Sequence, residues 1–194
     1  METQVRLLLA ELEQWGQEND TTQTDRSEKM LNLEPDTAKL LSLLVQSGAR
    51  QQLLEVGTSN GYSSIWLAWA AKQTGGHLVS IEQDATKHKM ARANLERAGL
   101  TEQVTLLQGD AGQLIEGLKG PFDFVFLDAD RTLYTDYLPL LLPRLKSGAL
   151  LLADNVLSHP QEISPYLEAL ASRSNFQHLV LGVGKGLSVA LKSA

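Results

Sequence analysis

The chain has 194 residues, of which 43% are hydrophobic, and a formal net charge of −6 at pH 7. This size and composition predict one domain, residues 1–194, with a core of its own. The negative charge argues against binding to nucleic acids or anionic membranes, and no apolar run approaches the ~20 residues that span a bilayer. The absence of cysteine excludes disulfides, thiolate catalysis and cysteine-based zinc sites, and it fits a cytoplasmic protein.

The first part of the chain is predicted to be a helix followed by a loop. Residues 1–20, METQVRLLLAELEQWGQEND, have the pattern of an acidic amphipathic helix rather than that of a signal peptide. Residues 19–28 are polar without periodicity and are predicted to be a loop, so residues 1–29 would be an appendage to the domain. A second helix is predicted over residues 34–50, because Pro35 stands at its start and leucines recur on one face.

Short apolar runs alternate with helical patterns along the rest of the chain. The runs are QLLEVG, HLVSIE, QVTLLQGD, FDFVFLD and ALLLAD, and helices are predicted over residues 61–73, 84–98, about 111–118 and about 134–145. This alternation predicts an α/β fold with a doubly wound, mostly parallel sheet that helices cover on both faces. The C-terminal stretch FQHLVLGVGKGLSVALKS predicts two more strands around a Gly-rich turn. The sheet should therefore have seven strands and end in an antiparallel hairpin.

Polar residues or glycines stand where each of the first five strands ends. In open parallel sheets, ligands bind at this edge, so these residues should line a pocket there. The alternative is that each one forms a turn or caps a helix, without any ligand. The residues are Glu55 with Gly57, Glu82, Gly109 with Asp110, Asp128, and Asp154 with Asn155.

The first two strand ends indicate the chemistry of the ligand. Gly57 and Gly61 frame a strand-to-helix turn whose backbone can approach a ligand closely. Glu55 would repel the phosphates of a dinucleotide but would attract a cationic amine, and Glu82 could accept hydrogen bonds from ribose hydroxyls. S-adenosylmethionine has the ribose, the positive charge and no phosphate. Asp110 would either meet the adenine or cap the next helix, and Glu82 could instead be a surface carboxylate.

The last two strand ends carry oxygen ligands. Asp128, Asp130, Asp154 and Asn155 offer carboxylate and amide oxygens, which suit Mg²⁺, Mn²⁺ or Ca²⁺ rather than zinc. Strands four and five should be neighbours, so these side chains can converge. The alternative is two helix-capping loops that hold no metal, and the spacing alone leaves both interpretations open.

Four segments together resemble the cation-dependent O-methyltransferases, a family that includes the catechol and caffeoyl-CoA O-methyltransferases. The segments are LLEVGTSNGYSSIWLA, IEQD, FDFVFLDADRTLY and ADN, and the resemblance extends from about residue 30 to the C-terminus. It implies a seven-stranded methyltransferase fold, S-adenosylmethionine as cofactor, a divalent cation and a homodimer.

The resemblance also assigns roles to individual residues. They are Glu55, Gly57 and Ser63 for the methionine part of the cofactor, Glu82 for the ribose, Ala111 for the adenine, and Asp128, Asp154 and Asn155 for the metal. In addition, we predict that Gly61, Asp110 and Asp128 lie beside the cofactor and that Asp128 and Arg131 are catalytic.

Methyl transfer to a hydroxyl oxygen of a catechol-like or other vicinal-diol small molecule is the predicted activity. The alternatives are a non-catalytic S-adenosylmethionine-binding protein, a methyltransferase acting on hydroxylated uridine in transfer RNA, and a nicotinamide-dependent oxidoreductase. Glu55 disfavours the oxidoreductase, and so does the absence of the third glycine of the Gly-x-Gly-x-x-Gly pattern that is typical of dinucleotide-binding turns. Arg131 stands where relatives have a lysine, and it cannot accept a proton. It would either stabilise the developing anionic oxygen or pair with Asp130.

Overall fold

A single seven-stranded sheet organises the computed structural model, which describes residues 1–193. The strand order is β3-β2-β1-β4-β5-β7-β6, with β1 to β5 parallel and β7 antiparallel to both of its neighbours. The predicted strand number and the terminal hairpin are confirmed. The strands are β1 Gln52–Val56, β2 His77–Glu82, β3 Val104–Gln108, β4 Phe122–Leu127, β5 Leu145–Ala153, β6 Phe176–Leu181 and β7 Leu187–Lys192.

Helices cover both faces of the sheet and bury its central strand β4 completely. Strand β4 is apolar on both faces from Phe124 to Leu127, because Phe124 and Phe126 enter one core cluster while Val125 and Leu127 enter the other. The helices are α1 Thr3–Thr22, α2 Pro35–Ser47, α3 Tyr62–Thr74, α4 Ala85–Ala98, α5 Ala111–Gly117, α6 Tyr134–Leu141 and α7 Pro160–Ala171.

Several of these elements differ from the sequence predictions. Helix α2 ends at Ser47 and not at residue 50. Helix α1 continues through residues 19–22, which we predicted to be loop, and a short 3₁₀ helix follows at Arg26–Glu28. Helix α6 ends at Leu141 and passes into a 3₁₀ turn at Leu142–Arg144, because Pro143 has no backbone N–H to continue the α-helical bonds. Helix α7 was not predicted. None of the described helices is long and apolar enough to cross a bilayer.

Helix α1 packs its apolar face against its own chain, on α3 and α4. Its buried residues Val5, Leu8, Leu9 and Leu12 belong to the same core cluster as α2 and α3. The amphipathic pattern of α1 is therefore explained within its own chain and is no argument for a partner subunit, so the homodimer stays a prediction. The division into one domain with an appendage at residues 1–29 also stays a prediction.

Gly57 allows the ends of β1 and β4 to approach closely. Its backbone has φ +103°, a left-handed value, and a Cβ atom at this position would overlap the carbonyl oxygen of Asp128. The two strands are paired here, with the Asp128 N–H donating to the carbonyl of Val56 at 2.9 Å. This approach places the turn after β1 next to the residues that follow β4.

Replacing Gly57 by alanine should destabilise the protein more than the same change at Gly75. Gly75 also has a left-handed backbone, with φ +67°, but no atom lies within 4 Å of its missing Cβ. Gly75→Ala should therefore cost only the backbone term of about 1 kcal/mol, whereas Gly57→Ala adds an overlap with backbone atoms and should cost at least about 3 kcal/mol. Chemical denaturation of both variants measures this difference, and equal losses of unfolding free energy would contradict it.

Candidate functional site

Glu55 is fully buried below the turn between β1 and α3. The hydroxyls of Ser63 and Ser80 each donate to its carboxylate at 2.6 Å, and the hydroxyl of Ser64 donates to the same carboxylate. Burial raises the pKa of Glu55 against the effect of these hydrogen bonds, and the charge of Glu82 raises it further. Glu55 thus holds the start of α3 against β2. Its predicted contact with the cofactor, like that of Ser63, stays a prediction.

Glu82 fixes the outer side of the same turn. Its carboxylate accepts from the backbone N–H of Ser59 at 2.7 Å and from that of Asp84 at 2.8 Å. Two carboxylate oxygens have about four lone-pair positions, so acceptors remain for the hydroxyls of a ribose. Gly61 begins α3 with φ +91°, and a Cβ atom there would lie 3.1 Å from the backbone of Ala91 on α4. Gly61 therefore serves close packing between helices as well as the turn.

Asp110 caps helix α5, one of the two roles that the sequence allowed. Its side chain accepts from the backbone N–H of Gln113 at 2.9 Å. Ala111 follows as the first residue of the helix and is buried. Both lie beyond the end of β3, and the N–H of Gly109 donates to the carbonyl of Glu82 at 3.0 Å. The predicted adenine position is therefore adjacent to the predicted ribose position.

Asp128, Asp154 and Asn155 converge beyond the ends of β4 and β5. The Asn155 amide donates to Oδ1 of Asp128 at 3.2 Å, and Asn155 itself has a left-handed backbone, with φ +65°. Asp154 is only 1% exposed, and its Oδ1 atom has no hydrogen-bond partner within the protein. A buried carboxylate oxygen without a donor is costly, so this atom is a suitable ligand for a cation.

The electrostatics of this cluster also fit a cation. Burial, followed by the charge of Glu34, raises the pKa of Asp154 to about 7. Burial and the charge of Asp154 raise the pKa of Asp128. A divalent cation would relieve this crowding of carboxylates. Within residues 1–193 no group of three His, Cys, Asp or Glu side chains is arranged to hold a metal. The candidate ligands differ from such a group because they are two carboxylates, Asp128 and Asp154, and one amide, Asn155.

Arg131 is buried and points to α7, not to Asp130. Its guanidinium donates twice to Oε2 of Glu162, at 2.9 and 3.1 Å, so the predicted pairing with Asp130 is wrong. Asp130 instead caps a short 3₁₀ helix at Arg131–Leu133, because its carboxylate accepts from the backbone N–H and the hydroxyl of Thr132. Asp130 is exposed, and the hydrogen bonds of its side chain within residues 1–193 are those to Thr132. The charge of Arg131 lowers the pKa of Asp154.

Three residues near the cluster were missed from the sequence. Glu162 comes from the unpredicted helix α7. Glu34 precedes α2, and its Oε1 atom pairs with Nζ of Lys185 at 2.8 Å. Lys185 lies in the turn between β6 and β7, and its charge lowers the pKa of both Asp154 and Asp128. The only sequence signal was a lysine between two glycines in the segment VGKGL, which we interpreted as a turn.

Curated relatives match the central part of the chain. A catechol O-methyltransferase from Niastella koreensis is 40% identical over 131 residues, which are 66% of this chain and 59% of that protein. A catechol O-methyltransferase from Mycobacterium tuberculosis is 37% identical over 120 residues, which are 61% of this chain and 54% of that protein. The matches thus span between half and two thirds of these relatives.

Solved structures match nearly the whole chain. The O-methyltransferase from Bacillus cereus in complex with SAH (S-adenosylhomocysteine) has a TM-score of 0.81 at 30% identity, covering 96% of this chain and 90% of that one. The O-methyltransferase TomG from Streptomyces achromogenes, in complex with S-adenosylmethionine, has a TM-score of 0.84 at 30% identity and the same coverage.

The sheet and these matches lead to the same family. The predicted fold class is confirmed, because the seven-stranded mixed sheet is shared with methyltransferases over more than nine tenths of the chain. A family model described as O-methyltransferase matches residues 6–188, and the relatives carry the same activity in their names. The chain therefore belongs to the O-methyltransferase family.

Proposed function

We propose that this protein transfers the methyl group of S-adenosylmethionine to a hydroxyl oxygen of a catechol-like or other vicinal-diol small molecule, with a divalent cation in the site. The buried and unpaired Oδ1 atom of Asp154, beside Asp128 and Asn155, is the observation that carries this proposal. The names of the curated relatives support the acceptor class.

The β1–α3 turn is the proposed binding site for the cofactor, which supplies an electrophilic methyl group on a sulfonium. Glu82 would accept from the ribose hydroxyls, and the turn would hold the methionine part. Asp128 adjoins this turn through the close approach at Gly57, so a methyl group and an acceptor could meet there. The proposed contacts are Glu55, Gly57, Gly61 and Ser63 at the turn, Glu82 beside it, Asp110 and Ala111 near the adenine, and Asp128.

Asp128, Asp154 and Asn155 are the proposed ligands of the cation, with Mg²⁺ as first choice and Mn²⁺ or Ca²⁺ as alternatives. Such a cation, when bound, lowers the pKa of a coordinated hydroxyl and orients it. Arg131 is the second proposed catalytic residue. Glu162 fixes its guanidinium, whose permanent charge would stabilise the anionic oxygen of the acceptor. The guanidinium cannot accept the proton of the hydroxyl, which would pass to bulk base.

A homodimer and a cytoplasmic location complete the proposal. The dimer is supported by the family resemblance and by Leu179 and Val180, which are exposed on the edge strand β6. The location is supported by the absence of cysteine.

Glu82→Ala should weaken the binding of S-adenosylhomocysteine by about 1–3 kcal/mol, because two ribose hydroxyls lose a charged acceptor. The exposed Glu102→Ala is the control and should bind normally. Titration calorimetry measures both affinities. Unchanged affinity in Glu82→Ala would remove this residue from the cofactor site.

Asp154→Asn should abolish both Mn²⁺ binding and methyl transfer, because the change removes a negatively charged ligand of the cation. The affinity for S-adenosylhomocysteine should stay nearly unchanged, because the proposed cation lies beside the acceptor and not beside the cofactor. Excess EDTA should inactivate the wild-type protein, and added Mg²⁺ should restore activity. Asp136→Asn, on the exposed side of α6, is the control. Full activity in EDTA would eliminate the role of a cation.

Arg131→Ala should lose about 1–3 kcal/mol of transition-state stabilisation, whereas Arg131→Lys should retain or exceed the activity near neutral pH. The profile of kcat against pH should show the titration of a lysine in Arg131→Lys, and this titration should be absent from the profile of the wild-type protein. If wild type and Arg131→Ala are equally active across the neutral range, this residue is structural only.

A further inference from the structure

The Glu34–Lys185 ion pair connects two segments that are distant in the sequence. Nζ of Lys185 lies 2.8 Å from Oε1 of Glu34, and the side chains are 50% and 29% exposed. Glu34 directly precedes α2, and Lys185 occupies the turn between β6 and β7. A half-exposed pair contributes little to stability by itself. Its position beside the cation cluster is therefore the more informative property.

The turn that carries Lys185 is bound to the residues that follow Asn155. The N–H of Val156 donates to the carbonyl of Gly186, and the N–H of Leu157 donates to the carbonyl of Lys185, both at 3.0 Å. Gly186 has φ +94°, and a Cβ atom there would overlap the side chain of Leu157. The turn and residues 156–157 therefore move together. Asn155 directly precedes residue 156 and has a left-handed backbone, a conformation that persists only when neighbouring structure holds it in place.

Glu34 is a fixed point on the other side of the pair. The carboxylate of Asp20 on α1 accepts from the N–H groups of Met30 and Leu31, at 2.7 and 2.8 Å. The amide of Asn32 donates to the carbonyl of Leu12 at 2.8 Å. The segment before Glu34 is thus held on α1, and Glu34 itself stands directly before α2. An ion pair to such an anchor can restrain the more exposed turn.

We propose that the Glu34–Lys185 pair is a positioning element of the cation site, which holds the β6–β7 turn and, through it, Asn155. This inference rests on the proposed function for the existence of the cation. The two residues do not coordinate the cation in this proposal; they fix one of its ligands. Residues that support metal ligands in this way typically change metal affinity about 10- to 100-fold when they are replaced.

Positioning and simple electrostatics predict opposite results for Lys185. If only its charge matters, replacing this cation by a neutral residue should strengthen the binding of another cation, while replacing Glu34 should weaken it. If the pair positions Asn155, both replacements should weaken binding, because either one releases the turn. The sign of the effect at Lys185 therefore separates the two explanations.

The experiment is a titration of Mn²⁺ into the full chain, monitored by electron paramagnetic resonance. Lys185→Met and Glu34→Gln should each bind Mn²⁺ about tenfold more weakly than wild type. Lys146→Met is the matched control, because Lys146 pairs with Asp123 at 3.3 Å, and that pair lies at the opposite end of β4. Unchanged or tighter binding in Lys185→Met would overturn the proposal.

Charge reversal provides the rescue. The double variant Glu34→Lys, Lys185→Glu restores an ion pair with the same net charge, so its Mn²⁺ affinity should return to within about threefold of wild type, and failure to recover would overturn the proposal.

Amide hydrogen exchange supplies a readout without metal. The N–H groups of Val156 and Leu157 should exchange faster in Lys185→Met than in wild type or Lys146→Met, and equal exchange would show that the pair does not hold this segment. A wild-type protein that binds no Mn²⁺ would contradict the proposed function, whereas the exchange result would still decide whether the pair restrains residues 156–157.

Discussion

The close approach of Gly57 to the carbonyl of Asp128 is the contact on which the site depends. It is possible only because Gly57 has no Cβ atom and can adopt a left-handed backbone. Through it, the turn that belongs to β1 and the acidic residues that follow β4 occupy one edge of the sheet. A donor held by the first and an acceptor held by the second would therefore be neighbours without any rearrangement of the chain.

Two buried carboxylates at this edge show how differently such groups can be accommodated. Glu55 accepts from three hydroxyls and is satisfied within the protein, so it serves as an internal brace. Asp154 is equally buried but keeps an oxygen without a donor. Because a buried carboxylate oxygen without a donor is costly, this atom is the one that the proposed cation would satisfy. The contrast between the two residues supports the proposal that the cation binds on the side of Asp154.

Much of the fold could be predicted from the sequence because its signals are local. The apolar runs, the glycines after β1 and the polar strand ends were sufficient for the sheet, its hairpin and the convergence of Asp128 with Asp154 and Asn155. The pairings of Arg131 with Glu162 and of Lys185 with Glu34 could not be predicted. Each depends on which residues, distant in the sequence, the finished fold brings together. Charge alone made Asp130 an equally reasonable partner for Arg131. The length of α1 was also missed, because packing on α3 and α4 stabilises a helix whose last turn has a polar sequence.

A comparison of catechol with phenol as methyl acceptors tests the cation-assisted reaction most directly. Two adjacent hydroxyls can chelate a cation held by Asp128, Asp154 and Asn155, whereas a single hydroxyl cannot. With labelled S-adenosylmethionine and Mg²⁺, label should enter catechol, should not enter phenol, and should not enter either compound in excess EDTA. Equal labelling of the two acceptors, or labelling of catechol in EDTA, would contradict the proposed reaction.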